Sequence, residues 1–119
     1  MPYVDGFLLP LPKKNLAAYR RMSRKAGKIW REYGALEYRE CVGDDMNVKG
    51  VKTFPKQLKP KGGETVVFSW IVYKSRADRD RINKKVMKDP RMAASMGSEP
   101  MPFDMKRMVY GGFKVLVDL

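Results

Sequence analysis

The side chains able to carry chemistry in this 119-residue sequence are carboxylates, phenols and guanidinium groups, because it contains no His and a single Cys, Cys41. Without His most imidazole catalysis is excluded, and one thiol gives neither the common zinc sites nor an intrachain disulfide. Asp44 and Asp45 begin a segment similar to a calcium loop, but Lys49 and Lys56 stand where acidic ligands are required. The paired glycines lack the residues that phosphate-binding loops need. We therefore predict no metal and no cofactor.

One carboxylate, Asp5, lies within an otherwise apolar run, residues 3–9. In a strand it shares a face with Tyr3 and Phe7, and because a buried carboxylate needs a partner, we expect Arg107 or Arg39 to pair with it. Such a group could serve as a base or as a polar anchor for a ligand. The structural alternative is that Asp5 forms an ion pair without a function in binding, or that it lies at a solvent-exposed rim of the sheet.

Aromatic and charged residues elsewhere could share a cavity with Asp5, in the mixture of flat apolar walls and few polar groups that is typical of small-molecule sites. Ordinary packing explains the aromatic members equally well. The residues predicted to line this pocket are Asp5, Phe7, Tyr38, Glu40, Trp70, Arg107 and Tyr110.

The elements that must position these residues follow from hydrophobic spacing. Residues 3–9, 35–42, 65–73 and 106–117 have the composition of strands, whereas residues 15–34 and 75–88 have the three-to-four spacing of amphipathic helices. Between strands 2 and 3 lies a long basic loop or flap, residues 43–63. The order β-α-β-β-α-β predicts one α+β domain over 1–119, a ferredoxin-like four-stranded antiparallel sheet with two helices on one face.

With helices on one side only, the other face of the sheet needs a cover. We expect Tyr3, Phe7, Phe68 and Trp70 there, and four aromatic side chains amount to roughly 600 to 1,000 Å² of apolar area, as much as the largest patch a monomer usually exposes. A second copy, packed sheet to sheet, is the simplest cover. The sequence therefore predicts a two-fold homodimer.

The charge of +12, from 25 Lys and Arg against 13 Asp and Glu, supports a different function. Basic patches attract polyanions, so the alternative is a nucleic-acid-binding module that uses helix 1 and the 43–63 loop. Against it, the aromatic residues of helix 1 belong to its apolar stripe instead of alternating with the cations. No segment resembles a signal peptide or a membrane span, and we expect a cytoplasmic protein.

Six ordered blocks along the chain carry a family resemblance: Tyr-Val-Asp-Gly-Phe at 3–7, Glu-Cys-Val-Gly-Asp-Asp at 40–45, Val-Val-Phe-Ser-Trp at 66–70, Asp-Pro-Arg-Met at 89–92, Met-Pro-Phe-Asp at 101–104 and Lys-Arg-Met-Val-Tyr-Gly-Gly-Phe at 106–113. Together they resemble the YbaA-like family of small bacterial proteins, which has no established function. The resemblance implies a ferredoxin-like protomer, a homodimer whose sheets close into a dimeric α/β barrel, and a cytoplasmic setting.

The wider dimeric α/β-barrel superfamily to which this family is assigned includes cofactor-free monooxygenases and haem-degrading enzymes. Function, however, does not follow from fold. The sequence leaves a homodimer that binds a small, partly apolar molecule, with cofactor-free enzymatic activity as an open extension. Nucleic-acid binding is the rival, and a dimeric interaction protein with no pocket is a third possibility.

Overall fold

The computed structural model describes residues 1–97 and 101–119. Four strands form one antiparallel sheet in the order β2-β3-β1-β4, so β1 and β3 are central, as predicted, and β2 and β4 are its edges. The α+β, ferredoxin-like prediction is confirmed. The elements in chain order are β1 (Tyr3–Pro12), a 3₁₀ turn (Lys13–Asn15), α1 (Leu16–Glu32), β2 (Glu37–Val42), α2 (Phe54–Leu58), β3 (Glu64–Tyr73), α3 (Arg76–Lys88), α4 (Pro90–Gly97), a second 3₁₀ turn (Met105–Arg107) and β4 (Val109–Lys114).

Strand β1 continues through Pro10 and Pro12, beyond the predicted end at residue 9. The amide of Lys13 donates to the carbonyl of Gly63, the residue just before β3. Because the backbone nitrogens of successive residues in a strand point to opposite sides, those of residues 10 and 12 point away from β3. Pairing with β4 stops at Leu8, opposite Val109. Both prolines therefore lie where no N–H is needed on that side of the strand.

The two faces of the sheet are set by the pairing of β1 with β3. Tyr3 lies opposite Tyr73 and Phe7 opposite Ser69, on the face covered by α1, α3 and α4, which we call the inner face. Phe68 pairs with Leu8 on the other side, the outer face. The prediction that Tyr3 and Phe7 share the helix-free face with Phe68 and Trp70 is therefore wrong. Both parities of β1 are apolar, so composition alone did not distinguish them.

Helix α1 lies close to the sheet because small residues occupy its buried side. Ser23 and Gly27 are buried along with Tyr19 and Ile29. A Cβ at Gly27 would lie 2.6 Å from the ring of Tyr38, so glycine lets this ring approach the helix closely. Helix α3 begins where predicted, with the hydroxyl of Ser75 accepting a hydrogen bond from the amide of Asp78.

The loop of residues 43–63 contains a helical turn that the sequence analysis did not predict, α2. Its Phe54 stacks on Phe68 with ring centroids 5.9 Å apart, and Phe68 in turn contacts Trp70. The loop therefore covers part of the outer face. Of the described helices, none combines the length and the apolar character needed to cross a membrane.

Candidate functional site

A partly open cavity of about 290 Å³ lies between the inner face of the sheet and the helices. This volume is near the lower limit of known ligand pockets. Its walls are mostly apolar and rich in methionine, a flexible side chain that adapts to the shape of a ligand. The lining includes Met22, Met87, Met92, Met101, Met105 and Met108, together with the aromatic residues Phe7, Tyr19, Trp30, Tyr38 and Phe103.

Among the described residues, Glu40 supplies the carboxylate in the wall of this cavity, although the residue as a whole is exposed. The hydroxyls of Tyr19 and Tyr38 each donate to one of its oxygens, both at 2.7 Å. Burial, followed by the charge of Glu40, raises the pKa of both phenols far above the usual tyrosine value. Both tyrosines are therefore neutral donors in the folded protein. The arrangement places one anion and two phenols beside an apolar space.

Asp5 is only 1% exposed and lies on the inner face, not in a space facing a second copy. Tyr110 donates to its Oδ1 at 3.0 Å, Asn83 approaches Oδ2 at 3.5 Å, and Nε of Arg79 lies 3.8 Å from Oδ1. The guanidinium of Arg79 also covers the ring of Tyr3. The cation near Asp5 is thus Arg79, and the expected pairing with Arg107 or Arg39 is wrong.

Arg79 and Asn83 were missed, although their spacing gave a signal. Together with Ile82 and Val86 they form one stripe of α3, at intervals of three and four residues, and both apolar members are fully buried. The amide oxygen of Asn83 accepts from the indole of Trp30 and from the hydroxyl of Tyr73, each at 3.0 Å. Two polar residues within a buried stripe are typical of partners for a buried charge.

The structure divides the residues of the predicted pocket into separate groups. Phe7, Tyr38 and Glu40 line the cavity, and Phe7 contacts the ring of Tyr110 at 5.0 Å, which links the cavity to the Asp5 network. Trp70 borders the cavity from the sheet, but its indole donates to Glu37 on the outer face.

Arg107 lies apart from these groups. Its guanidinium makes two hydrogen bonds to Glu64, at 2.8 and 3.0 Å. This pairing lowers the pKa of the Glu64 carboxyl. Arg107 is therefore held by an acid of β3, away from Asp5.

A second hollow, an open groove of about 830 Å³, runs along α1 beside the edge strand β2. Arg20, Arg24, Lys28 and Arg31 line its helical side. Leu16, Val42 and Val67 supply apolar surface to the same groove. The groove and the cavity share Tyr19, Ser23, Tyr38 and Glu40, which therefore form a partition between them.

Within residues 1–97 and 101–119, no three acidic or cysteine side chains come together in a way that could hold a metal ion. Cys41 is exposed and unpaired by any disulfide in that part of the chain. The polar groups that the described residues bring to the cavity include the carboxylate of Glu40, the two phenols, the guanidinium of Arg39 and the hydroxyls of Ser23 and Ser69.

Solved structures with the same architecture are distant in sequence, and they show the fold alone. A NIPSNAP family protein of Agrobacterium tumefaciens is 13% identical with a TM-score of 0.62, over 96% of this chain and 87% of that one. A dimeric ferredoxin-like protein from an uncultured marine organism is 12% identical with a TM-score of 0.57, over the full length of both chains. A putative antibiotic biosynthesis monooxygenase from Nitrosomonas europaea is 11% identical with a TM-score of 0.55, over 97% and 90%.

The sequence relatives cover the whole chain. The uncharacterized protein YbaA of Escherichia coli strain K12 is 46% identical over 118 residues, which is 99% of both chains, and YbaA of Shigella flexneri matches to the same extent. The family model described as protein of unknown function, DUF1428, matches residues 2–105. The chain therefore belongs to the DUF1428 family, as the six sequence blocks indicated.

Proposed function

We propose that this protein binds a small, partly apolar molecule in the cavity between the sheet and the helices. The observation that carries the proposal is the 290 Å³ space with methionine-rich walls and one carboxylate held by two phenols. Apolar walls provide affinity without direction, whereas a few fixed polar groups select the orientation of a ligand. Glu40 and its two tyrosines have that arrangement.

A neutral fluorescent probe, N-phenyl-1-naphthylamine, tests this proposal because its emission rises in an apolar site. We expect saturable binding to the wild-type protein, quenching of Trp30 in the cavity wall, and loss of binding in Ala26→Phe, which fills the cavity from α1. Ala17→Phe, on the exposed side of the same helix, is the matched control and should bind like wild type. Equal binding by both variants would show that the probe occupies another site.

The proposal includes a homodimer in which two copies pack outer face to outer face. Its support is the apolar surface of that face, where Phe68, Val109 and Phe113 are 40%, 53% and 61% exposed. Monomers seldom leave such a continuous patch in water. The description of one structural neighbour as dimeric and ferredoxin-like agrees with this arrangement. A cytoplasmic setting, implied by the family resemblance, belongs to the same proposal.

Cofactor-free conversion of the bound molecule stays a prediction, and Glu40 is the cavity carboxylate that could take part. One structural neighbour is described as a monooxygenase, but at 11% identity this likeness concerns the fold. The nucleic-acid alternative also stays a prediction. A filter-binding titration with single-stranded RNA tests it, since absence of measurable affinity at low salt would remove it.

A further inference from the structure

The cations of α1 are unevenly placed around the helix. Arg20, Arg24 and Lys28 follow one another at intervals of four residues, so they lie one above the other on the side that borders the groove. Within the described ranges, 1–97 and 101–119, none of the three lies within ion-pair distance of an acid. Like charges at this spacing repel one another, and an anion in the groove would relieve that repulsion.

Apart from its cations the groove is largely apolar, although Glu32, which pairs with Arg91, and Glu40 also line it, so it differs from an ordinary solvated helix face. Leu16 and Val42 are 39% and 49% exposed along it, and Val67 lies at its floor. Arg31 is committed to the chain itself, since its guanidinium donates to the carbonyls of Ala35 and Leu36. A row of free cations therefore faces an apolar wall across one open space.

The groove leads to the partition that separates it from the cavity. This partition consists of side chains held by hydrogen bonds, the hydroxyls of Tyr19 and Tyr38 on Glu40, with Ser23 beside them. From outside to inside, a ligand would meet the three cations, then the carboxylate of Glu40, then the methionine-rich walls. An anionic group attracted by the cations would be stopped by Glu40 and by the cost of losing its water, whereas an apolar chain could continue.

We propose that the ligand is a single-tailed amphiphile with an anionic head, such as a carboxylate or a sulfate, on an aliphatic or aromatic tail. The head binds Arg20, Arg24 and Lys28 in the groove, and the tail passes between Tyr19 and Tyr38 into the cavity. This inference rests on the proposed function, because it assigns the ligand class for the same cavity. It also gives the groove a role that an uncharged apolar ligand would not use.

Displacement of N-phenyl-1-naphthylamine by monomeric decanoate and by 1-decanol tests the ligand class, since the two share one tail length and differ in head charge. We expect decanoate to displace the probe at a concentration about tenfold lower than decanol at low salt, as two or three exposed charge contacts would give, and the difference to shrink as salt is added. The double variant R24Q/K28Q should lose most of this preference while it still binds the probe and decanol.

The matched control is R21Q/K25Q, which removes the same charge from exposed positions of α1 that do not line the groove. It should keep the preference for decanoate. An equal loss in both double variants would mean nonspecific attraction by a basic protein and would overturn the inference. Equal displacement by decanoate and decanol in the wild type would overturn it too, yet leave the proposed function standing. Failure of the probe and both displacers to bind would remove both.

A membrane lipid could present the same anionic head. Vesicles of phosphatidylcholine with and without phosphatidylglycerol distinguish this source from a free monomer. We expect displacement by monomeric decanoate to depend on Arg24 and Lys28, without a corresponding dependence of vesicle binding on these two residues. If only binding to the anionic vesicles depends on them, the cations serve a membrane surface and the inference is wrong.

Discussion

Asp5 is the residue on which the polar part of the interior depends. Its carboxylate accepts from Tyr110, lies near Arg79, and is approached by the amide of Asn83, whose oxygen in turn accepts from Trp30 and Tyr73. The side chains of Asp5 and Arg79 are 1% and 17% exposed. If one of them were removed, water could therefore replace few of the polar contacts that the other would lose. Nε of Arg79 makes no well-aligned hydrogen bond among the described residues, although it also lies 3.2 Å from a carboxylate oxygen of the exposed Asp80.

Replacing Asp5 by Asn should therefore destabilise the protein, because it removes the buried one of the two carboxylates near Arg79 and changes one acceptor into a donor. We expect a loss of about 1.5 to 3 kcal/mol in the free energy of unfolding, measured by urea denaturation. Glu37→Gln is the control, since it breaks an exposed ion pair with Arg39 while the amide oxygen of Gln can still accept from the indole of Trp70, and it should cost less than about 1 kcal/mol. Similar losses in both variants would contradict a special role for the buried network.

The phenols around Glu40 predict a dependence of stability on alkaline pH. Burial and the nearby carboxylate raise the pKa of Tyr19 and Tyr38 above the unfolded value of about 10. A group whose folded pKa is raised contributes stability that is fully present below the unfolded pKa and is lost as the pH rises above it. The free energy of unfolding should therefore fall above about pH 10, with a shallower fall in Tyr19→Phe.

Tyrosinate absorbance gives the measurement that separates these phenols from the rest. Tyr19, Tyr38 and Tyr73 all have strongly raised pKa values, chiefly because they are buried. They should ionise only together with unfolding, as followed by circular dichroism. Ionisation of all six tyrosines before any loss of structure would contradict the hydrogen bonds to Glu40.

The identity of residues that need partners could be predicted from sequence, but their partners could not. Asp5 was recognised because it interrupts an apolar strand, and that required only local spacing. Arg79 lies 74 positions away, and seven cations crowd residues 74–88, so the choice among them depends on which side of α3 meets the sheet. The face of Asp5 was equally undetermined, because Val4 and Leu8 are as apolar as Tyr3 and Phe7.

The elements themselves were more predictable than their ends or their faces. The order of strands and helices, the central positions of β1 and β3 and the Ser75 cap all follow from short-range patterns. The extension of β1 through Pro10 depends on where β4 stops, which is a long-range fact. Likewise, α2 lies in a glycine- and lysine-rich segment without hydrophobic periodicity. The position of Phe54 depends on its contact with Phe68, which is distant in sequence.

Helix α1 packs against β2, and this contact separates the groove from the cavity. Gly27 is the critical position of the contact. An alanine there would bring a Cβ within 2.6 Å of the Tyr38 ring, which is fixed by its bond to Glu40. Overpacking of this kind costs about 1 to 3 kcal/mol, whereas replacing a helical glycine by alanine gains about 1 kcal/mol. We therefore expect Gly27→Ala to lose up to about 2 kcal/mol in urea denaturation.

A displaced Tyr38 ring should also open the partition, so N-phenyl-1-naphthylamine should enter Gly27→Ala faster than wild type in stopped-flow mixing. Gly62→Ala is the control, because a Cβ at that position meets nothing within 4 Å. It should change stability by no more than about 0.5 kcal/mol and leave the entry rate unchanged. A Gly27→Ala protein as stable as wild type, with the same entry rate, would show that the helix and Tyr38 move apart freely.

At the scale of the whole molecule, the inner face of the sheet is covered by helices, whereas α2 covers only part of the outer face. Phe54 and Phe68 stack on each other yet remain 47% and 40% exposed, and Phe113 lies over Gly6 and Gly111 with 61% of its surface in solvent. Sheet-to-sheet packing would bury these rings together at the centre of a two-fold interface. The dimer proposal thus depends on the outer face of the sheet.

Phe113→Glu should separate the two copies, because a charge within an apolar interface would lose its water without a partner. We expect the wild type to sediment as two copies of the 13.7 kDa chain and the variant to shift toward one. The exposed ring contributes little within a single copy, so thermal unfolding at low protein concentration should change little. Leu36→Glu supplies the comparison: this residue is 53% exposed, but the pairing of Glu37 with Val72 turns it toward the other side of the sheet. Leu36→Glu should leave the sedimenting mass unchanged.

A wild-type protein that sediments as a single 13.7 kDa species at all concentrations would contradict the dimer. It would show that Phe54 and its loop cover the outer face well enough for a single copy to remain in solution.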